Sequence, residues 1–130
     1  MILKNSQQKV IFELEKFFER WKNEDLGYRK TVGALEKSGQ KEIIPSIVSP
    51  ISKLCEAHNE YRDFSDFPKT QGAIYPRLCL QVPTGGGKTI IGVEAIRIFQ
   101  EQFLEKRKGL VVWIVHSEAI YSQTIKKLQD

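Results

Sequence analysis

Apolar side chains recur at helical spacing near the start of the chain, with charged residues between them. This pattern predicts an amphipathic helix over residues 7–23, with Ser6 as its N-cap and Gly27 as its stop. A second helix is predicted to begin at Ser49-Pro50, because a capping hydroxyl followed by proline suits a first helical turn. The apolar positions of the first helix are Val10, Leu14, Phe17, Phe18 and Trp21.

The second half of the chain alternates apolar runs with helical patterns. Residues 78–82 and 110–115 are short and mainly apolar, as expected of strands that are buried in a parallel sheet. Between them, residues 88–106 have apolar residues on one side of a predicted helix. Ser117 is the expected N-cap of a last helix that continues to Leu128.

A strand, a crossover helix and a second strand form a right-handed βαβ unit. We therefore predict an α/β fold in two parts, a helical region over residues 1–68 and a βαβα part over residues 69–130. The length of 130 residues is sufficient for one modest domain with its own core.

The composition is that of an ordinary globular chain, with 41% hydrophobic and 28% charged residues. The net charge of +4 permits a polyanionic partner without requiring one. Cys55 and Cys79 lie far apart, without the spacing of a disulfide framework or a zinc site. The first residues contain no apolar signal sequence, and no apolar run reaches the ~20 residues of a membrane helix. We therefore expect a cytoplasmic protein without a membrane segment.

A glycine-rich turn, residues 83–87 and called the glycine turn below, joins the first predicted strand to the next helix. Its glycines let main-chain N–H groups approach phosphate oxygens, and the positive end of the helix dipole faces the same anion. Lys88 would reach the β- and γ-phosphates of ATP and the Thr89 hydroxyl would bind Mg²⁺, so these two are also the predicted catalytic residues. The strict P-loop pattern has glycine where this chain has Val82. The residues predicted to bind the nucleotide are Pro83, Thr84, Gly85, Gly86, Gly87, Lys88 and Thr89.

Three segments carry a resemblance to a known family. Residues 83–89 resemble motif I of superfamily 2 helicases, which often lack that first glycine. Residues 112–123 resemble motif Ia, a strand end that turns into a helix, although His116 stands where the family usually has proline. Residues 3–7, Leu-Lys-Asn-Ser-Gln, resemble the pattern that opens many of these motors. The order of the parts is most similar to that in the type III restriction enzyme helicase subunits.

The resemblance implies the ATP-binding part of a DNA helicase or translocase of a restriction system, with a RecA-like domain. In the family, the glutamine that corresponds to Gln7 reads adenine, which suits an amide because it can donate and accept at one base edge. The turn that contains Ser117 would contact a DNA phosphate. The implied cofactors are ATP and Mg²⁺, and the implied partners are DNA and either a methyltransferase subunit or the remainder of the motor.

A superfamily 2 motor also needs an Asp-Glu motif after a later strand, where it holds Mg²⁺ and orients the attacking water. No Asp-Glu pair occurs in this sequence. We therefore expect the N-terminal part of such a motor, ending before the acidic motif and turning over ATP poorly by itself.

Two other functions stay open at this point. The chain would be a non-catalytic nucleotide-binding or interaction module whose helical front half binds a partner, or a small P-loop phosphotransferase. Val82 and the motif Ia-like segment count against the phosphotransferase. Gln7 and Ser117 each also have an alternative without a ligand. Gln7 would then be a solvated side chain at a helix start, and Ser117 would be an N-cap only.

Overall fold

The computed structural model is mainly helical in the part of the chain that it describes, residues 3–61, 65–66 and 76–129. In chain order, its α-helices are α1 (Asn5–Lys37), α2 (Pro50–Ala57), α3 (Lys88–Ile98) and α4 (Glu118–Gln129). The other elements are the 3-10 helices Lys41–Ser46 and Asn59–Tyr61, the strands β1 (Ser65–Asp66) and β2 (Pro76–Arg77), and the π-helical turn Phe99–Phe103.

The described residues group into two compact units. One unit contains the start of α1, through Glu15, together with the chain from Val82 onward. The other unit is Lys16–Gln81 and contains the rest of α1, helix α2 and both strands. The predicted boundary between residues 68 and 69 lies outside the described residues and stays a prediction.

Helix α1 is longer than the predicted helix over residues 7–23, and it runs through the predicted stop at Gly27. A glycine inside a helix costs about 1 kcal/mol relative to alanine. The next residue, Tyr28, is buried, and burial of an aromatic side chain offsets a penalty of that size. No helix of the described residues, α1 included, combines the length and the apolar character needed to span a bilayer.

The end of α1 is set by Gly39, whose φ of +77° is left-handed. The Gly39 N–H donates to the Glu36 carbonyl at 3.3 Å, and the Gln40 N–H donates to the Leu35 carbonyl at 2.9 Å. These two bonds are those of a Schellman motif, which satisfies the last carbonyls of a helix. The predicted stop at Gly27 is therefore wrong, because only the later glycine adopts the conformation that ends a helix.

Aromatic side chains of α1 form the core of the second unit. The Phe17 and Tyr61 rings meet edge to face with their centroids 5.2 Å apart, and Trp21 has no exposed surface. Helix α2 begins as predicted at Pro50, and the Ser49 hydroxyl accepts a hydrogen bond from the Ser52 N–H at 3.2 Å. The buried apolar residues of this unit include Phe17, Phe18, Trp21, Tyr28, Ile51, Leu54 and Tyr61.

The predicted α/β fold class is wrong. Residues 78–82 and 110–115, which were expected to be strands, form none, and the described residues contain no βαβα arrangement. The strands that the described residues do contain, β1 and β2, form an antiparallel pair outside both predicted runs. Ser65 lies opposite Arg77, and Asp66 lies opposite Pro76.

The physical reason is visible in the apolar run over residues 110–115. Its Leu110 and Ile114 side chains are 94% and 88% exposed, whereas a strand of a parallel sheet is covered on both faces. A strand also needs a neighbouring strand to satisfy its backbone N–H and C=O groups. An apolar run therefore forms a strand only where both its neighbour and its covering layers are present, and local pattern cannot show either.

Candidate nucleotide site

The glycine turn has a conformation that requires glycine at three successive positions. The Gly86 N–H donates to the Pro83 carbonyl at 3.0 Å, which closes a four-residue turn. Gly85 and Gly87 both have φ of +79°, in the left-handed region that glycine adopts without strain. At Gly86 there is no room for a side chain, because a Cβ there would lie 2.7 Å from Val82 Cγ1 and 2.9 Å from the Pro83 oxygen.

Helix α3 begins directly after the turn, at Lys88, with Gly87 as its N-cap. Glycine has no side chain to accept from the first-turn N–H groups, and α3 has no side-chain cap. These donors and the positive end of the helix dipole therefore lie at the turn, which is the arrangement that binds phosphate. The Lys88 side chain is exposed and Thr89 is half-buried. The helix expected after the turn is present, whereas the strand expected before it is not.

Gln7 lies against the glycine turn. Its Nε2 donates to the Gly86 carbonyl at 3.2 Å, and its Oε1 accepts from the Lys4 N–H at 2.9 Å. Only 5% of its surface is exposed, so the solvated side chain considered from the sequence is wrong. The structure thus brings Gln7 and the glycine turn together, although 79 positions separate the hydrogen-bonded residues.

The start of α1 explains how Gln7 comes to be fixed. The Lys4 carbonyl accepts from the N–H groups of Gln7 and Gln8, at 2.9 and 3.0 Å, so Lys4 is the N-cap residue. Gln7 then occupies the third helical position, from which a glutamine side chain can reach back to the N-cap N–H. Ser6, the predicted N-cap, lies inside the helix instead. The Leu-Lys-x-x-Gln pattern is therefore a helix-start signal, and α1 begins two residues before the predicted start at Gln7.

A second close approach, between α3 and the apolar run after it, was not foreseen from the sequence. A Cβ on Gly92 would lie 2.7 Å from the Trp113 Cη2 atom, so the indole ring lies against the backbone of α3. Gly92 stands in the middle of the helix, where glycine is unfavourable without a packing reason. That glycine is the sequence signal from which the contact could have been inferred.

Ser117 lies at the start of α4, as predicted. Its Oγ accepts from the Ile120 N–H at 3.4 Å, so the serine caps the helix. Around it lies a shallow, open depression of about 390 Å³. In the part of the chain that the structure describes, no hydrogen bond joins Ser117 to the glycine turn. The depression is lined by Val115, His116, Ser117, Glu118 and Tyr121.

The cations at the two ends of α3 differ in their surroundings. Arg97 bonds Glu94 and Glu101, each at 2.8 Å. The hydrogen bond to Glu94, followed by that to Glu101, raises the pKa of Arg97 above its ordinary value against the opposing effect of burial. Arg97 is thus paired with carboxylates of α3 and of the π-helical turn after it, whereas Lys88 lies at the glycine turn. No group of three or more His, Cys, Asp or Glu side chains suited to a metal ion occurs in residues 3–61, 65–66 and 76–129.

A family model described as type III restriction enzyme, res subunit, matches residues 1–130. The chain belongs to this family. No curated protein and no solved structure matches the chain. Membership of the type III res family confirms the resemblance inferred from the three motif segments, and it identifies a helicase-like region related to restriction enzymes. The family match spans the helical front part as well as the glycine turn, so both belong to one family pattern.

Proposed function

We propose that this chain binds ATP at the glycine turn and contributes DNA contacts to an ATP-dependent helicase or translocase of the type III restriction class. Family membership supports the helicase class. The observation that carries ATP binding is the glycine turn, with its two left-handed glycines, running directly into the uncapped start of α3.

The residues at the turn are suited to a triphosphate in three ways. Left-handed Gly85 and Gly87 allow consecutive N–H groups of the turn to point toward one anion. The start of α3 adds uncapped N–H groups and the positive end of its dipole. Lys88 supplies the full positive charge, on an exposed and flexible side chain that can follow the terminal phosphates.

Thr89 is the residue that would hold Mg²⁺. It follows Lys88 in the first turn of α3, and its hydroxyl is an oxygen donor of the kind that Mg²⁺ accepts together with water and phosphate oxygens. When bound, the ion would neutralise phosphate charge. The chain's own contribution is to bind and orient the nucleotide.

DNA contact is proposed for the start of α4. Ser117 presents a hydroxyl at a helix N-terminus, where phosphate oxygens are favoured by the dipole. The depression around it is open to solvent, so a ligand can reach this end of the helix. Contacts of this kind carry no base preference, so we expect binding without sequence specificity at this point.

Calorimetry of MgATP binding tests the proposal. Lys88→Ala removes the cation at the turn, and we expect at least a tenfold loss of affinity, since charge-assisted bonds to phosphate contribute about 1.5–3 kcal/mol. Lys106→Ala, at an exposed lysine after α3, is the matched control and should leave the affinity unchanged. Equal affinity of the Lys88→Ala variant and the parent chain would remove the assignment.

A further inference from the structure

The Gln7 amide connects the start of α1 to the glycine turn through both of its polar ends. Its Oε1 is bonded to the Lys4 N–H and its Nε2 to the Gly86 carbonyl. The side chain is buried, so another orientation of the amide at this place would give up one or both of these hydrogen bonds. The amide therefore has one preferred position and orientation.

The Gly86 carbonyl belongs to the same planar peptide group as the Gly87 N–H. In a trans peptide these two groups point in opposite directions. Holding the Gly86 carbonyl toward Gln7 thus aims the Gly87 N–H away from Gln7. Gly87 is also the N-cap of α3, so this N–H lies next to the first donors of the helix.

We infer that Gln7 is a positioning residue for the triphosphate: it fixes the Gly86–Gly87 peptide plane so that the Gly87 N–H is presented to phosphate. This inference rests on the proposed function. It assigns Gln7 an effect on the phosphate tail that is the same whatever base the nucleotide carries. Adenine reading by Gln7 is the competing role, and it predicts an effect on ATP alone.

The first experiment measures the affinities of MgATP, MgGTP and magnesium triphosphate without a base by calorimetry. Gln7→Met keeps the length of the side chain and removes both hydrogen bonds. We expect all three affinities to fall by the same factor, about three- to tenfold, as for the loss of one hydrogen bond. Gln8→Met is the control, because the Gln8 side chain is exposed and its amide donates to the Leu3 carbonyl rather than to the glycine turn.

Two results of this experiment would overturn the inference. A loss confined to ATP would mean that Gln7 reads the base. Unchanged affinities for all three ligands, whatever the melting temperature, would mean that Gln7 does not position the phosphate.

The second experiment needs no ligand and uses the two left-handed glycines as a matched pair. Gly85 and Gly87 share φ of +79°, so alanine is strained at both. A Cβ on Gly87 would also collide with the Gln7 amide, whereas a Cβ on Gly85 has nothing within 4 Å. The melting temperatures of Gly85→Ala and Gly87→Ala are compared in the parent and in a Gln7→Ala background.

We expect Gly87→Ala to lower the melting temperature less in the Gln7→Ala background, and Gly85→Ala to have the same effect in both. An equal effect of Gly87→Ala in both backgrounds would show that Gln7 does not hold the turn, and would overturn the inference. If the parent chain binds none of the three ligands, the proposed function fails and the inference fails with it. The melting temperatures would then still show whether Gln7 braces the turn.

Discussion

At the scale of single residues, each glycine of the turn is required by a local constraint. Gly85 is required by its dihedral angle, Gly86 by the closeness of Val82 and the Pro83 carbonyl, and Gly87 by both its dihedral angle and the Gln7 amide. The glycine triplet thus forms a turn whose main-chain donors have defined directions, which is what recognition of a phosphate group demands.

Ser117 allows a substitution that separates its two roles. Ser117→Asp preserves the N-cap, because aspartate caps helices as well as serine does, but it places a negative charge where a DNA phosphate is proposed. We expect weaker binding of a DNA oligonucleotide at low salt, by roughly threefold or more, because like charges repel at short range. Fluorescence anisotropy measures this affinity, and circular dichroism verifies that the helix content is retained.

The control for this prediction is Ser122→Asp, which makes the same charge change at an exposed position within α4. An equal loss of affinity in both variants would indicate a general effect of charge. The contact at Ser117 would then be rejected.

At the scale of elements, helix α1 shows how one residue type has different effects at different places. Gly27 and Gly33 lie inside the helix with open space where a Cβ would be, whereas Gly39 ends the helix at φ of +77°. We expect Gly27→Ala and Gly33→Ala each to stabilise the fold by about 0.5–1 kcal/mol, because alanine has the higher helix propensity and the less flexible unfolded chain.

Urea unfolding followed by circular dichroism measures these changes. Gly39→Ala is the opposite case and should destabilise, because alanine is strained in the left-handed region. If all three substitutions had the same sign, the helix bounds described for α1 would be contradicted.

The elements that the sequence predicted correctly are those specified by neighbouring residues. Ser49 and Pro50 begin α2, and Ser117 begins α4, because a cap acts within one turn of its own position. The predicted strands failed because a strand depends on partners elsewhere in the chain. The family resemblance assigned Gln7 and the glycine turn to one nucleotide, but their direct hydrogen bond was not predicted, since local pattern carries no information about which distant backbone a side chain will meet.

At the scale of the whole molecule, the exposed apolar run over residues 110–114 is the main liability of the described surface. Short β-prone segments without charge, proline or glycine favour pairing between copies of a chain. Ile114→Lys introduces charge at a side chain that is 88% exposed, so it should reduce concentration-dependent association without unfolding the protein. Light scattering over a concentration series measures this effect.

Leu26→Lys serves as its control, because Leu26 is an isolated exposed apolar residue of α1 at 54% exposure. Isolated residues of this kind are common on soluble proteins and do not drive association. A parent chain that stays monomeric over the whole concentration series would refute the prediction.

Triphosphate binding by the main chain of the glycine turn is the claim on which the function depends. Titration of MgATP into ¹⁵N-labelled protein tests it at the atoms concerned. The amide signals of Gly85, Gly86, Gly87 and Lys88 should move together and saturate, whereas those of Gly27, Gly33 and Gly39 should stay in place. Unchanged signals at the turn, or changes confined to other parts of the chain, would contradict the account.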